Sequence, residues 1–373
     1  MKIKLIVVVL FVFAAGCKKN VEPRPLLNGT ATFQLERIDN ISFTNDNSLL
    51  ISGVSGDNYT LIKTDINLNV AWTKNGYDWG KLIRASGGWG SAFYSIKIVK
   101  VFQRADGSYV CFGSISEGGD VVFSSALVIV LDKNGKQINK YRFDDLAVSN
   151  VLKTGDGYIL FGNQLVKLDN NFNKLWTKNI FSNANSVVSI ANIIEGGFVV
   201  TGSYNFDQVY LAKLDANGNQ VFTQTYKHND YPFEEAGFDI TQLPDGGFLM
   251  VGRAGDGSSY PPIINCQIIR TDAKGDTSWT KRFGYSADSW LDRFVSENQN
   301  EFVVQGSIGF ATDSLQKRVL LKINSGGEIL KSKTLDNLLL LVYSPLTGYV
   351  KAEPGAPHGI KLSVIYREDD LFN

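Results

Sequence analysis

The most constraining feature of the chain is a phrase that it repeats. "KTDINLNVAWTK" occupies residues 63–74 and "KLDNNFNKLWTK" residues 167–178, and "AKLDANGNQVFTQ" (212–224) and "IRTDAKGDTSWTK" (269–281) follow the same plan. In each, an aromatic stands seven residues after an aspartate: Asp65 and Trp72, Asp169 and Trp176, Asp215 and Phe222, Asp272 and Trp279. Two further copies, "IVLDKNGKQINKY" from 129 and "LKINSGGEILKSK" from 321, keep the turn residues without the aromatic. Upstream of each copy lies a second phrase, "LLISG", "YVCFG", "YILFG", "FVVTG", "FLMVG" or "FVVQG", ending at Gly53, Gly113, Gly162, Gly202, Gly252 and Gly306. Successive glycines are 60, 49, 40, 50 and 54 residues apart, a period that suits a propeller blade and is too long for a leucine-rich repeat.

Within a unit the sequence reads as four short strands, A to D. A loosely apolar run such as "SVVSIANII" is strand A, strand B follows an "EGG" or "PDGG" turn, strand C is "VYLAKLD" and strand D carries the aromatic. No segment sustains a 3.6-residue apolar period, so helix should be minor. Six consecutive four-stranded antiparallel units imply an all-β fold, a β-propeller that protects its sheet edges by packing blades around an axis. The tail "TGYVKAEPGAPHGIKLSVIYRED" offers B and C strands of a seventh blade, and "ATFQLERID" is an orphan strand ahead of the first unit. Pairing the two closes the ring. The expectation is one domain over residues 31–373 with seven blades, six or eight being the alternatives. Asp, Gly and Trp at the C to D turn resemble the PQQ-like and related repeat propellers of bacterial lipoproteins. The chain departs from the quinone-dependent dehydrogenases in lacking an adjacent cysteine pair and in having fewer than eight blades, so the resemblance carries over no cofactor.

The first sixteen residues are read apart from the fold. "MKIK" is basic, "LIVVVLFVF" is a nine-residue apolar run too short to span a bilayer, and "AAGC" ends at Cys17, the layout of a cleaved secretory signal. Small residues before a cysteine resemble the bacterial lipobox, which implies cleavage before Cys17 and acylation of its thiol and new amino group. "GCKKN" followed by "VEPRP" is similar to the start of Bacteroidota lipoproteins, and Lys18 in place of an aspartate favours the outer membrane, in either leaflet. Residues 17–30 would then be the lipidated cysteine and a flexible tether.

Charge bounds the partners. Lys and Arg total 37, as do Asp and Glu, so no net field draws the protein to nucleic acid. Cys111 and Cys266 lie in apolar strand-like runs three units apart and should be buried free thiols. The "DxNxN" loops invite a calcium reading, but they lack the glycine and glutamate spacing of an EF-hand and recur as turn residues do, so no metal site is expected. The repeated aromatic reads as packing between sheets. Histidine is limited to His228 and His358, and "GYSAD" (284–288) is no nucleophile elbow, which leaves no catalytic triad in view.

Function is expected in what does not repeat. In an antiparallel blade the A–B and C–D turns share one face of the disc and the B–C and D–A connections share the other. The first set is tight throughout. The second holds the insertions 76–94, 114–125, 227–238, 253–265 and 284–292, which carry Trp79, Arg84, Trp89, Tyr94, His228, Asp230, Tyr231, Glu234, Glu235, Arg253, Asp256, Tyr260, Asp288 and Trp290. Aromatics mixed with charges suit recognition of carbohydrate, peptide or an envelope protein. The leading expectation is a non-catalytic binding or scaffold module held on the membrane by its lipid. The alternative is a polysaccharide hydrolase or lyase using Asp230, Glu234, Glu235 and Asp256.

Overall fold

The computed structural model describes residues 30–56, 58–75, 93–118, 122–144, 146–162, 164–179, 184–227, 232–257, 263–284, 288–298, 300–310, 313–345, 348–355 and 359–372. Strand β1 (Thr30–Phe33) comes first. Blade 1 holds β2 (Arg37–Phe43), β3 (Leu49–Ser55), β4 (Asn58–Thr64) and β5 (Val70–Asn75). Blade 2 holds β6 (Phe93–Gln103), β7 (Tyr109–Gly118), β8 (Val122–Leu131) and β9 (Gln137–Phe143). Blade 3 holds β10 (Val148–Thr154), β11 (Gly157–Gly162), β12 (Leu165–Asp169) and β13 (Lys174–Lys178). Blade 4 holds β14 (Ala184–Asn192), β15 (Phe198–Tyr204), β16 (Gln208–Leu214) and β17 (Gln220–Tyr226). Blade 5 holds β18 (Pro232–Gln242), β19 (Phe248–Asp256), β20 (Ile263–Thr271) and β21 (Thr277–Phe283). Blade 6 holds β22 (Ser289–Asn298), β23 (Glu301–Phe310), β24 (Asp313–Asn324) and β25 (Ile329–Leu335). Blade 7 joins β26 (Leu340–Ser344), β27 (Gly348–Gly355) and β28 (Gly359–Ile365) to β1, with Thr30 opposite Ser363 and Phe33 opposite Ile360. The protein is a seven-bladed β-propeller whose ring is closed by its N-terminal strand, as the orphan strand implied. A five-residue helix, α1 (Glu368–Phe372), ends the described chain.

Burial explains the sequence pattern of each strand. Strands B and C are covered on both faces by the neighbouring blades, so they read as unbroken apolar runs: β15, "FVVTGSY", is buried at six of its seven positions. Strand D lies on the rim, where the blades splay apart, and alternates between exposed and half-buried. The cores therefore lie between blades, one cluster shared by each pair of neighbours. Cys111 and Cys266 are buried free thiols in two of these clusters, and burial pushes both up to about 12.

The glycine that ends each "LLISG"-type phrase has a specific cause. In blades 1 to 6 strand A carries a β-bulge, and the glycine pairs with the residue at its start: Gly53 with Ile38, Gly113 with Ile98, Gly162 with Val148, Gly202 with Val187, Gly252 with Gly237 and Gly306 with Leu291. The bulge presses a strand A carbonyl toward the glycine. A Cβ on Gly53, Gly113, Gly162, Gly252 or Gly306 would run into the carbonyl oxygen of Arg37, Lys97, Ala147, Ala236 or Trp290.

The tight turns repeat one geometry. At the C–D turns of blades 2 to 5 the aspartate N–H donates to the carbonyl four residues on, as Asp215 does to Asn219, and its side-chain Oδ1 accepts from the N–H groups two and four residues on, of which Asp65 in blade 1 keeps the second. Asp132, Asp169 and Asp272 do the same, and Asn324 takes the position in blade 6. These oxygens face the backbone of their own turn, which is the turn role expected for the "DxNxN" loops.

Candidate functional site

The structure places the insertions differently from simple loops. In blades 2 and 5 the B and C strands continue to pair past the blade core, Gly118 opposite Val122 and Asp256 opposite Ile263. Arg253 and Asp256, expected in a loop, therefore belong to β19, and the A strands are long as well, so that Tyr94, Glu234, Glu235 and Trp290 belong to β6, β18 and β22. Extension gains ladder hydrogen bonds, and Pro232, which has no N–H to give, stands at the very start of β18. Cys17, Trp79, Arg84, Trp89, His228, Asp230, Tyr231 and Tyr260 lie outside the described residues.

Blade 5 brings four of the expected residues together. Between Phe233 and Ala236, β18 bulges, with Glu234 and Glu235 opposite the single residue Ala254, and Glu234 sits there with φ 49°, a left-handed conformation uncommon for a non-glycine residue. Its Oε2 meets Arg253 Nη2 at 3.0 Å, and the Arg253 guanidinium lies 5.5 Å from the Phe238 ring centre. Glu235 is wholly enclosed, and a parallel bridge between Asp207 and Glu235 ties blade 4 to blade 5. Burial holds Arg282 below the usual guanidinium value, against the opposing charges of Glu235 and Asp256. Asp288 is exposed and Trp290 half-buried where blade 6 begins. The result is a charged edge with an aromatic stack, in which Glu235 is a supporting group below the surface.

A second constellation lines the channel, and the sequence reading passed over it. The residue after each strand A bulge stands opposite the residue before each repeated glycine: Asn40, Lys100, Asn150, Ser189, Asp239 and Arg293 face Ser52, Phe112, Phe161, Thr201, Val251 and Gln305. All six line one compartment of about 680 Å³ at the axis. The bulge re-aims the strand and so puts one polar residue per blade into the channel. The signal was present, because each position is fixed by the recurring glycine, but it is visible only once the bulge supplies the offset.

The channel is electrostatically uneven. Asp239 Oδ1 accepts from Ser189 Oγ at 2.6 Å and from the Ile240 N–H at 3.0 Å, and its Oδ2 accepts from the Phe294 N–H at 2.8 Å. Burial still raises Asp239 above the usual carboxylate range, against those bonds and the charge of Arg293. Burial and Arg293 lower Lys100 from the usual lysine value, while Asp239 opposes them. On the blade 7 side the wall turns apolar, and Leu341, Val342 and Tyr343 border a further compartment of about 360 Å³.

No protein-family model and no curated protein matches the sequence. Solved structures resemble it in shape. BBS1N, solved in complex with ARL6DN, is similar over 92% of this chain and 95% of its own, at 8% identity and a TM-score of 0.50. A member of the duf4221 family from Bacteroides vulgatus is similar over 91% of this chain and 98% of its own, at 9% identity and a TM-score of 0.44. A protein of unknown function from Bacteroides caccae is similar over 66% of this chain and 82% of its own, at 12% identity and a TM-score of 0.37. At such identities the likeness concerns the fold alone.

Proposed function

We infer that the protein is a lipid-anchored binding module of a bacterial outer membrane, which recognises its ligand on the face formed by the B–C and D–A connections. The observation that carries this reading is the contrast between the two faces. On one, the turns are uniformly short: the C–D turns of blades 1 to 6 and the A–B turns of blades 1, 2, 4 and 5 share a five-residue hydrogen-bonded geometry, and strands A and B of blades 3 and 6 pair up to Thr154 with Gly157 and Asn298 with Glu301. On the other, connections differ from blade to blade, and blade 5 gathers Glu234, Arg253, Phe238 and Asp256 at its edge. A rigid ring that varies along one face is the usual setting of a recognition surface. Binding is favoured over glycoside hydrolysis because two of the four candidate carboxylates are committed, Glu235 by enclosure and Glu234 by its ion pair with Arg253. The anchor rests on the Cys17 motif, and the outer membrane on Lys18.

Screening the mature protein against glycan and peptide arrays, then repeating a hit with Arg253→Ala and Trp290→Ala, tests the surface. Weakening of about tenfold or more in either variant is expected. Turnover of a bound glycan, abolished by Asp256→Asn, would replace the reading with an enzymatic one. Incorporation of labelled palmitate that disappears in Cys17→Ser tests the anchor.

A further inference from the structure

Charge pairing in the channel leaves an excess of one sign. Three acids and four cations line the larger compartment. Asp39 is held by both nitrogen arms of Arg37, at 2.7 and 3.1 Å, and Asp292 is bonded to Arg318, so two of the acids are neutralised by arginines that are not part of that lining. Asp239 already accepts three hydrogen bonds from uncharged donors. Among the described residues, by contrast, Lys97, Lys100, Lys153 and Arg293 make no ion pair and no side-chain hydrogen bond with the protein. Four cations thus face one remaining carboxylate, Asp239, whose single charge acts on both Arg293 and Lys100.

Position narrows the ligand further. Lys100 and Arg293 line both compartments, the polar one and the one walled by Val101, Phe294, Val342 and Tyr343. Lys100 is half-buried beside a second cation, an arrangement that an anion would relieve. An anionic head at this junction could meet a bidentate guanidinium and an ammonium together, while an attached apolar group lay against blade 7. The combined space suits a small organic molecule.

We propose that the central channel is a binding site for a small organic anion, whose carboxylate or phosphate head is held between Lys100 and Arg293 and whose apolar part lies against Val342 and Tyr343. The site is distinct from the long-loop face, although Phe238, stacked on Arg253, also borders the larger compartment, and either can exist without the other. Calorimetric titration of the mature protein with phenyl phosphate and with 4-phenylbutyrate, using benzyl alcohol as the uncharged control, tests it and separates the two head groups. One or both anions should bind while the alcohol does not, and Lys100→Met and Arg293→Met should each weaken binding at least tenfold. Lys331→Met, on the rim, should leave it unchanged. Failure of both anions to bind at 10 mM, or equal affinity in the two channel variants, overturns the proposal. Should either variant misfold, the parent protein with 13C-methylated lysines gives an independent reading. One resonance with a lowered titration midpoint should shift upward when the anion is added, and a midpoint that stays put counts against the site.

Discussion

A Cβ on Gly218 would stand 2.8 Å from Cη2 of Trp176, so the indole of blade 3 fills the space that a side chain on the blade 4 turn would need. The same relation joins Trp72 to Gly135, Phe222 to Gly275 and Trp279 to Gly327, always from the outer strand of one blade to the C–D turn of the next. Gly218 also has φ +75°. Gly218→Ala should therefore cost the left-handed backbone penalty of about 1–3 kcal/mol plus the displacement of the indole. Gly56, with φ +58° and nothing within 4 Å of a Cβ, carries the backbone penalty alone. Thermal melts should show a larger loss for Gly218→Ala than for Gly56→Ala, and equal losses would mean that the indole is not a close neighbour.

Where the neighbour supplies no aromatic, the turn fills the space itself. Blade 2 has Asn139 at the position of the repeated aromatic, opposite Val130, and the blade 3 turn has Phe172 at the glycine position, 5% exposed and 4.9 Å between ring centres from Tyr141. Phe172→Gly should cost about 3–5 kcal/mol by emptying that space, less about 1 kcal/mol or more that glycine recovers at φ 68°. Asn139→Trp alone should crowd Phe172, and the double variant should recover at least about 1 kcal/mol of the summed losses, as expected of coupled neighbours. Strict additivity in urea unfolding would refute this exchange.

The turn aspartates predict an acid limb of stability. Hydrogen bonds from Asn173 and Asn219 hold Asp169 and Asp215 below the usual carboxylate range. A lowered folded value means stability that is present above the unfolded value near 3.9 and lost as pH falls through the folded one. Asp215→Asn should keep the turn, because Asn324 already does this job in blade 6, and should lessen the loss of melting temperature below pH 4. Asp215→Ala should melt lower at every pH. Chelator should move neither, and a large drop with EDTA would restore the calcium reading.

Asp239 has the opposite sign. Its folded value is raised by burial, so its contribution is fully present below the unfolded value near 3.9 and declines as pH rises toward the folded value. Asp239→Asn cannot copy the bond from the Phe294 N–H in both orientations of its amide, so a constant offset is expected. The melting difference should nevertheless move in favour of the variant between pH 4 and 7. A pH-independent difference would show that Asp239 titrates normally.

Ring closure predicts a local weakness. Phe33, 6% exposed on β1, packs with Ile360 and Leu362 of β28. Phe33→Ala should cost about 3–5 kcal/mol. Hydrogen exchange should quicken first in β28 and β27, while β15 and β16 of blade 4 keep their protection. Uniform acceleration around the ring would argue against a seam at blade 7.

What was legible in the chain was whatever recurs. A residue type that returns once per unit must satisfy one local constraint many times, and the aspartate of the turn, the glycine before the bulge and the outer aromatic could be read by superposing copies. Of the residues expected on the long-loop face, Glu234 and Arg253 form an ion pair on blade 5, whereas Glu235 is enclosed, because two bulges, not strand alternation, set which way β18 points. The Asn40 to Arg293 ring escaped notice since its six residues share a position without sharing a chemistry.

The sequence by itself determined the four-stranded blade and its tight turns, since hydrogen-bond register and apolar alternation are local properties of each unit, and an orphan first strand beside an incomplete last unit implied the closure that the structure shows. Only the tertiary structure decided which polar side chains meet. Lys100, Asp239 and Arg293 come from blades 2, 5 and 6, and they become neighbours because seven twisted sheets converge on one axis, a consequence of packing that no single unit encodes.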